Sequence, residues 1–387
     1  MSHTRRWQPS CPRLRRVQEK ARANRGEVFT SLAHYVDEAA LLRAYRGLRA
    51  GAAAGADGHN TASYGKGLKG RISALHERLK TGSYRATPAR RLVLNKPDGG
   101  ERIIQLQTVE DKVVQSAVAE VLNSIYEVDF AAFSYGFRPG KSAHQCLQAL
   151  QTALQKGQVN WVLDLDLKAC FDSIEHDALM AQVEQRVKDR SVLRLLRDAL
   201  TVGYRDDSGR RQRQHRGTPQ GAVISPLLAN IVLNEAIDKT VHRWRQNHAR
   251  GQVYIVRYAD DAVIGCEYDT DAQALRAELK TALSAYGLSL NEAKTRLVRF
   301  GRQNPPNGPG RSDSFDFLGF THIAGRDRKG RYLVKRKTAR KRLSRQLEAF
   351  KHWCRTHRHE PMAWQHRKLS EKLAGHYAYF GIRGNLD

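Results

Sequence analysis

The sequence predicts an α+β fold: a ferredoxin-like sheet interleaved with helices and followed by a basic helical end. Three observations predict it. Residues 161–167, 253–258, 262–266 and 295–300 are short apolar runs of strand length. The middle two are joined by Ala259, Asp260 and Asp261 alone, which calls for a hairpin. With an insertion between 190 and 250 set aside, the order reads strand, helix, strand, strand, helix, strand, the β-α-β-β-α-β order. That fold serves many functions and names none by itself.

Taken along the chain, residues 1–28 are basic and poor in large aliphatics, with Arg5, Arg6, Arg13, Arg15, Arg16, Lys20, Arg22 and Arg25. They read as a poorly ordered arm or a short helix. Helical spacing covers 37–49, where Leu41, Leu42, Tyr45 and Leu48 share a face, then 66–80 and 109–127. Arg91 to Leu94 is a strand. The turn chemistry of Lys96-Pro97-Asp98-Gly99-Gly100 returns it through Arg102-Ile103-Ile104. Further helices fall at 176–187, around Val192 to Leu200, at 226–237 and around Leu275 to Tyr286, the last stopped by Gly287. Residues 204–216 read as a polar hairpin or loop, and 301–313 as a Gly/Pro-rich linker. An apolar patch from Phe315 to Phe320, a basic run from Lys335 to Arg345 and terminal helices complete the chain.

Sixty-six Lys and Arg face 39 Asp and Glu, a net charge of +27. Such an excess calls for a polyanionic partner, with nucleic acid foremost. No apolar run approaches the roughly 20 residues that span a bilayer, so no membrane partner is expected. The five cysteines are scattered and form no C-x-x-C pair, which argues against a disulfide framework or zinc site and fits a reducing cytoplasm. Gly136 to Ser142 mimics a phosphate-binding loop. It has three residues between its glycines where four are required, so an ATPase is rejected. Arg138 and Lys141 are instead expected on a nucleic-acid backbone.

An adjacent Asp260 and Asp261 in a turn is, taken alone, an ordinary acidic turn. Asp166 changes that reading. In the ferredoxin-like order the first strand lies beside the later hairpin, so Asp166 can converge with Asp260. Alternation puts Asp164 and Asp166 on one face and the intervening leucines on the other. Carboxylates gathered between apolar strands need a cation or hydrogen bonds. Three of them suit a two-metal phosphoryl transfer, and hard oxygen ligands favour Mg²⁺.

Four segments then stand in order: Phe133-Ser134-Tyr135-Gly136-Phe137-Arg138-Pro139-Gly140; Gly217-Thr218-Pro219-Gln220-Gly221 running on to Ile231; Tyr258-Ala259-Asp260-Asp261; and Phe317-Leu318-Gly319-Phe320. Together they closely resemble bacterial group II intron reverse transcriptases, from about Val28 to the C-terminus. The resemblance implies a right-hand polymerase. A basic N-terminal arm (1–28) precedes interleaved fingers and ferredoxin-like palm (29–305), then a primer grip and partial helical thumb (306–387). It implies an RNA-directed DNA polymerase with RNA template, DNA primer and dNTPs as partners, and group II intron RNA as a further one.

The same resemblance assigns roles. Asp166, Asp260 and Asp261 match the catalytic carboxylates that hold two Mg²⁺ ions, with Mn²⁺ as a substitute, and Leu167 lends its carbonyl. Phe171 matches the aromatic gate against a ribose 2′-hydroxyl. Lys96 and Arg102 match the triphosphate contacts, and Pro219, Gln220 and Gly221 the loop supporting template and nucleotide. Lys294 matches the lysine that protonates pyrophosphate. Phe317, Leu318, Gly319 and Phe320 match the primer grip; apart from the resemblance, the basic run of Lys335, Arg336 and Lys337 is expected to add nucleic-acid contacts. The chain departs from the family after Arg102 and at Cys170, and ends at Asp387, short of the rest of the thumb. An RNA-binding maturase with a vestigial site and a polymerase domesticated for phage defence stand as alternatives.

Overall fold

The computed structural model describes residues 8–9, 11–95, 100–302 and 313–385. The N-terminal segment takes its helical reading. α1 (Pro12–Ala23) starts on a proline at its first turn and buries Leu14, Val17 and Ala21. α2 (Glu38–Arg46) is capped by the Asp37 carboxylate, and α3 (Thr61–Gly65) by a capping box on Asn60. α4 (Leu68–Lys80) leads to the hairpin of β1 (Ala89–Asn95) and β2 (Glu101–Leu106). Its turn at 96–99, including Lys96, lies outside the described residues.

α5 (Val109–Asp129) is the long core helix against which α1 and α2 pack. Sequence periodicity passed over α6 (Ala143–Lys156), which is capped by Ser142 and Gln145. The serine that ended the false phosphate loop is therefore a helix cap. β3 (Trp161–Leu165), α7 (Cys170–Ser173), α8 (His176–Glu184) and α9 (Arg190–Thr201) follow. The polar stretch at 204–216 carries β4 (Tyr204–Arg205) and β5 (Arg211–Gln212), and β4 pairs with β1 in parallel.

α10 (Ser225–Leu233), a π-helical turn (Asn234–Lys239) and α11 (Thr240–Asn247) run on as one length of helix. β6 (Val253–Tyr258), β7 (Asp261–Cys266), α12 (Asp269–Ser284) and β8 (Arg296–Arg299) complete the central unit. A three-stranded sheet of β9 (Ser314–Phe317), β10 (Phe320–Arg326) and β11 (Tyr332–Thr338) then precedes α13 (Arg340–Thr356) and α14 (Met362–Phe380).

The central sheet has the order β6-β7-β3-β8, antiparallel throughout, which is the expected ferredoxin-like arrangement. Strand alternation sends its side chains into two cores. Leu163, Leu165, Ile255 and Ile264 join the large helical core. Val162, Val256, Val263 and Val298 join a smaller one with Leu147, Leu150, Phe300, Phe315 and Phe320, roofed by α6 and the three-stranded sheet. Asp164 shares the Val162 face, so the carboxylates open toward the second core. Among the described residues no helix is long and apolar enough to cross a membrane.

Candidate active site

β3 pairs with β7 in a register that ends at Leu165 opposite Ala262. One further step sets Asp166 across from Asp261. Tyr258 pairs with Asp261 across the hairpin, leaving Ala259 and Asp260 as the connecting residues. The chain after β3 is held by the loop before β8. The Asp166 carbonyl accepts from Asn291 N–H at 2.8 Å and from the Thr295 hydroxyl at 3.2 Å, and Leu167 bridges to Leu290.

The carboxylates repel one another. Burial, then Asp260, Asp166 and Asp164, push the Asp261 carboxyl up to about 7. Burial also raises Asp260, with Asp166 adding to it. Asp164 is raised by burial and partly relieved by Arg296 at 3.4 Å. Among the described residues, no three acidic, histidine or cysteine side chains already converge as an ion-holding set. The donor chemistry nonetheless fits a hard cation: carboxylate oxygens at the mouth of a cleft, partly withdrawn from water at Asp166 and Asp260, whose mutual repulsion a positive ion offsets.

A cleft of about 710 Å³ opens in front of the hairpin, lined by Asp260, Asp261, Leu167, Phe171, Asp172, Arg102, Gln220 and Tyr258 among others. Among the described residues, four non-glycine residues have left-handed backbone: Phe137, Ala169, Ala259 and Leu318. All four line this cleft. That conformation costs an L-residue about 1–2 kcal/mol, and such strain gathers at functional sites. Gly136 explains part of it. A Cβ there would stand 2.2 Å from the Ala259 nitrogen, so the Phe133–Gly136 segment packs directly on the hairpin backbone.

Residues 94–322 match the family model described as "Reverse transcriptase (RNA-dependent DNA polymerase)". This chain belongs to the reverse transcriptases. It is of the group II intron type. It is 33% identical to protein YkfC of Escherichia coli K12 over 72% of this chain and 78% of that protein. It is 34% identical to the group II intron-encoded protein LtrA of Lactococcus lactis over 60% of this chain. Against an uncharacterized 91 kDa protein in the cob intron of Schizosaccharomyces pombe the identity is 41% over 42% of this chain. The chain spans 39% of LtrA and 20% of the fission yeast protein. A solved telomerase from Candida albicans covers 68% of this chain at 14% identity and a TM-score of 0.48.

The central sheet has the ferredoxin-like order expected of a right-hand polymerase palm. Phe171 stands in the cleft wall, edge-on to Phe137 with ring centres 6.4 Å apart. Gln220 reaches the cleft while Pro219 is buried behind it. Gly221 has φ +107°, and a Cβ there would stand 2.8 Å from the Gln105 carbonyl oxygen of β2. Lys294 is exposed, next to the Thr295 that holds Asp166, and does not line the cleft. Leu318 and Gly319 form a two-residue turn with φ of 49° and 82°. The Tyr379 hydroxyl of α14 donates to the Leu318 carbonyl at 2.8 Å.

Four expected contacts need correction. Arg138 is not free for a phosphate. It is buried, with its guanidinium on Glu127 and on the Ala131 and Ser134 carbonyls, so it ties the motif loop to α5. Arg336 is buried because β11 alternates, turning Val334 and Arg336 inward and Lys335 and Lys337 out. Phe317 and Phe320 put their side chains in the second core, leaving only the turn between them near the cleft. Lys141, by contrast, is only half-buried, over the Tyr135 ring, and its expectation needs no correction; burial, then Arg138, lower its pKa. Sequence reasoning missed Asp172, Asn230, Asp238 and Arg257, whose roles depend on contacts between distant elements.

Proposed function

We propose that this reverse transcriptase is an active RNA-directed DNA polymerase that adds dNTPs to a primer 3′-hydroxyl. The observation that carries the reading is the β3–β7 register, which ends at Leu165 opposite Ala262 and so leaves Asp166 and Asp261 as the next facing pair, with Asp260 and Asp261 lining the strained cleft. Asp166, Asp260, Asp261 and the Leu167 carbonyl would hold Mg²⁺, or Mn²⁺ in its place. Bound there, the metal supplies Lewis acidity that favours the 3′-alkoxide and offsets charge on the triphosphate.

The chain's own residues do the rest. Phe171 walls the sugar position and favours the deoxyribose. Arg102, on β2 at the cleft edge, offers its guanidinium to the triphosphate, with Lys96 as its expected neighbour. Gln220 orients Arg102 and supports the template base with Pro219 and Gly221. Lys294, exposed on the loop beside Thr295 and outside the cleft lining, is the candidate to supply charge and a proton to the leaving pyrophosphate. Leu318 and Gly319 steady the primer end, and the outward Lys335 and Lys337 hold nucleic-acid phosphates, intron RNA among the candidates. Replacing Asp166 by Asn tests the assignment: extension of a primed RNA template should disappear while RNA affinity persists.

A further inference from the structure

Among the described residues Arg257 is the largest fully buried side chain, and its ion pair with Asp238 is wholly closed to solvent. Its Nε and Nη2 donate to the two Asp238 oxygens at 2.7 and 2.6 Å. Its Nη1 donates to Asn230 Oδ1 at 2.9 Å and to the Ala259 carbonyl at 2.8 Å. Asn230 in turn donates to the Gly136 carbonyl at 2.8 Å. The Arg257 backbone is also paired, its N–H with the Phe133 carbonyl and its carbonyl with the Tyr135 N–H, both at 2.9 Å.

A buried ion pair is weak evidence for stability, because desolvation offsets its attraction. The position of this one suggests another use. The Ala259 carbonyl belongs to the left-handed residue that begins the turn carrying Asp260 and Asp261. Asn230 and Asp238 are eight positions apart, which on a straight α-helix leaves them about 80° apart around the axis. The π-helical turn at Asn234–Lys239 winds more widely and takes up that excess, bringing both acceptors onto the guanidinium.

We propose that Arg257, clamped by Asp238 and Asn230, is a positioning residue that holds the Ala259 carbonyl and so fixes the Asp260–Asp261 turn for metal binding. The π-helical turn is then part of the active-site support. This rests on the metal-dependent reading given above.

Mn²⁺ binding, followed by the loss of the free-ion electron paramagnetic resonance signal, tests it without activity. The proteins are the native chain, Asp260→Ala, Arg257→Lys and Asp238→Asn, each melted in parallel. Arg257→Lys keeps the charge and loses the fork. Supporting contacts of this kind typically change metal affinity 10–100-fold, so Arg257→Lys and Asp238→Asn should weaken Mn²⁺ binding about tenfold at temperatures where they remain folded. Unchanged affinity in folded variants, with binding lost in Asp260→Ala, would overturn the positioning role and leave the polymerase reading standing. Binding that Asp260→Ala does not alter would overturn both. Where Arg257→Lys does not fold, Asn230→Ser removes one acceptor, leaves the ion pair intact and carries the same expectation.

Discussion

The Gln220 amide donates to both carboxylate oxygens of Asp172, at 2.8 Å each. Its carbonyl oxygen accepts from Arg102 Nε, also at 2.8 Å. A chain of three side chains thus runs along the cleft from α7 to β2. Gln220→Ala frees Arg102 to rotate. The loss of one bond to a charged group, discounted for exposure, is about 1 kcal/mol, so the dNTP KM should rise roughly fivefold. Steady-state kinetics at saturating template check this; an unchanged KM would remove Arg102 from the triphosphate site.

Ala259 trades stability for geometry. Ala259→Gly relieves a left-handed alanine but adds freedom to the unfolded chain, so the net stability change should be under ~1 kcal/mol. A looser turn should nevertheless lower extension rates. Melting and single-turnover extension, measured together, separate the two effects.

Phe171→Ala should open the sugar pocket. Discrimination between dNTP and rNTP, read as a ratio of kcat/KM values, is expected to fall roughly tenfold or more. Equal discrimination in both proteins would return Phe171 to a packing role.

His322 gives the fold a pH dependence. It is buried and stacked on Phe315 with ring centres 5.0 Å apart, and neither ring nitrogen has a partner among the described residues. Burial, then Arg336, lower its pKa to about 3, against 6.5 for a free histidine. Between those values the unfolded chain binds the proton and the native chain does not. Stability therefore rises with pH across that window and is lost as pH falls below about 6.5, by a few kcal/mol in all. His322→Phe should flatten the acid limb of a plot of melting temperature against pH.

The alternation of β11 separates two kinds of basic residue. Replacing exposed Lys335 and Lys337 by Ala should reduce the slope of log affinity against log salt by about one unit each. Arg336→Ala should lower thermal stability and leave that slope alone.

Much of the fold was legible because it rests on local pattern. The palm strands are short apolar runs, and the Ala259–Asp261 connection permits only a hairpin. α6 was passed over because its buried face, Cys146, Leu147, Leu150 and Leu154, followed a Gly-rich stretch weighed and rejected as a phosphate loop. Asp166 stood out because an acidic residue in an apolar strand violates the local rule, whereas Asp260 and Asp261, alone an ordinary acidic turn, were singled out only through the strand order that brings Asp166 toward them. Arg138 and Arg336 misled, since a sequence shows a charge but not the carboxylate or strand face that buries it. The Arg257, Asp238 and Asn230 cluster left no local trace, because its members meet only after β6 packs on the α10–α11 helix.

The central claim is metal-dependent DNA synthesis at the palm carboxylates. Its most direct test is primer extension on poly(rA)/oligo(dT) with Mg²⁺, comparing the native chain with Asp260→Ala while template affinity is measured alongside. The native chain should extend the primer and the variant should not, with equal template binding. No extension by the native chain, with RNA binding intact, would contradict that claim and make the protein an RNA-binding relative of the polymerases.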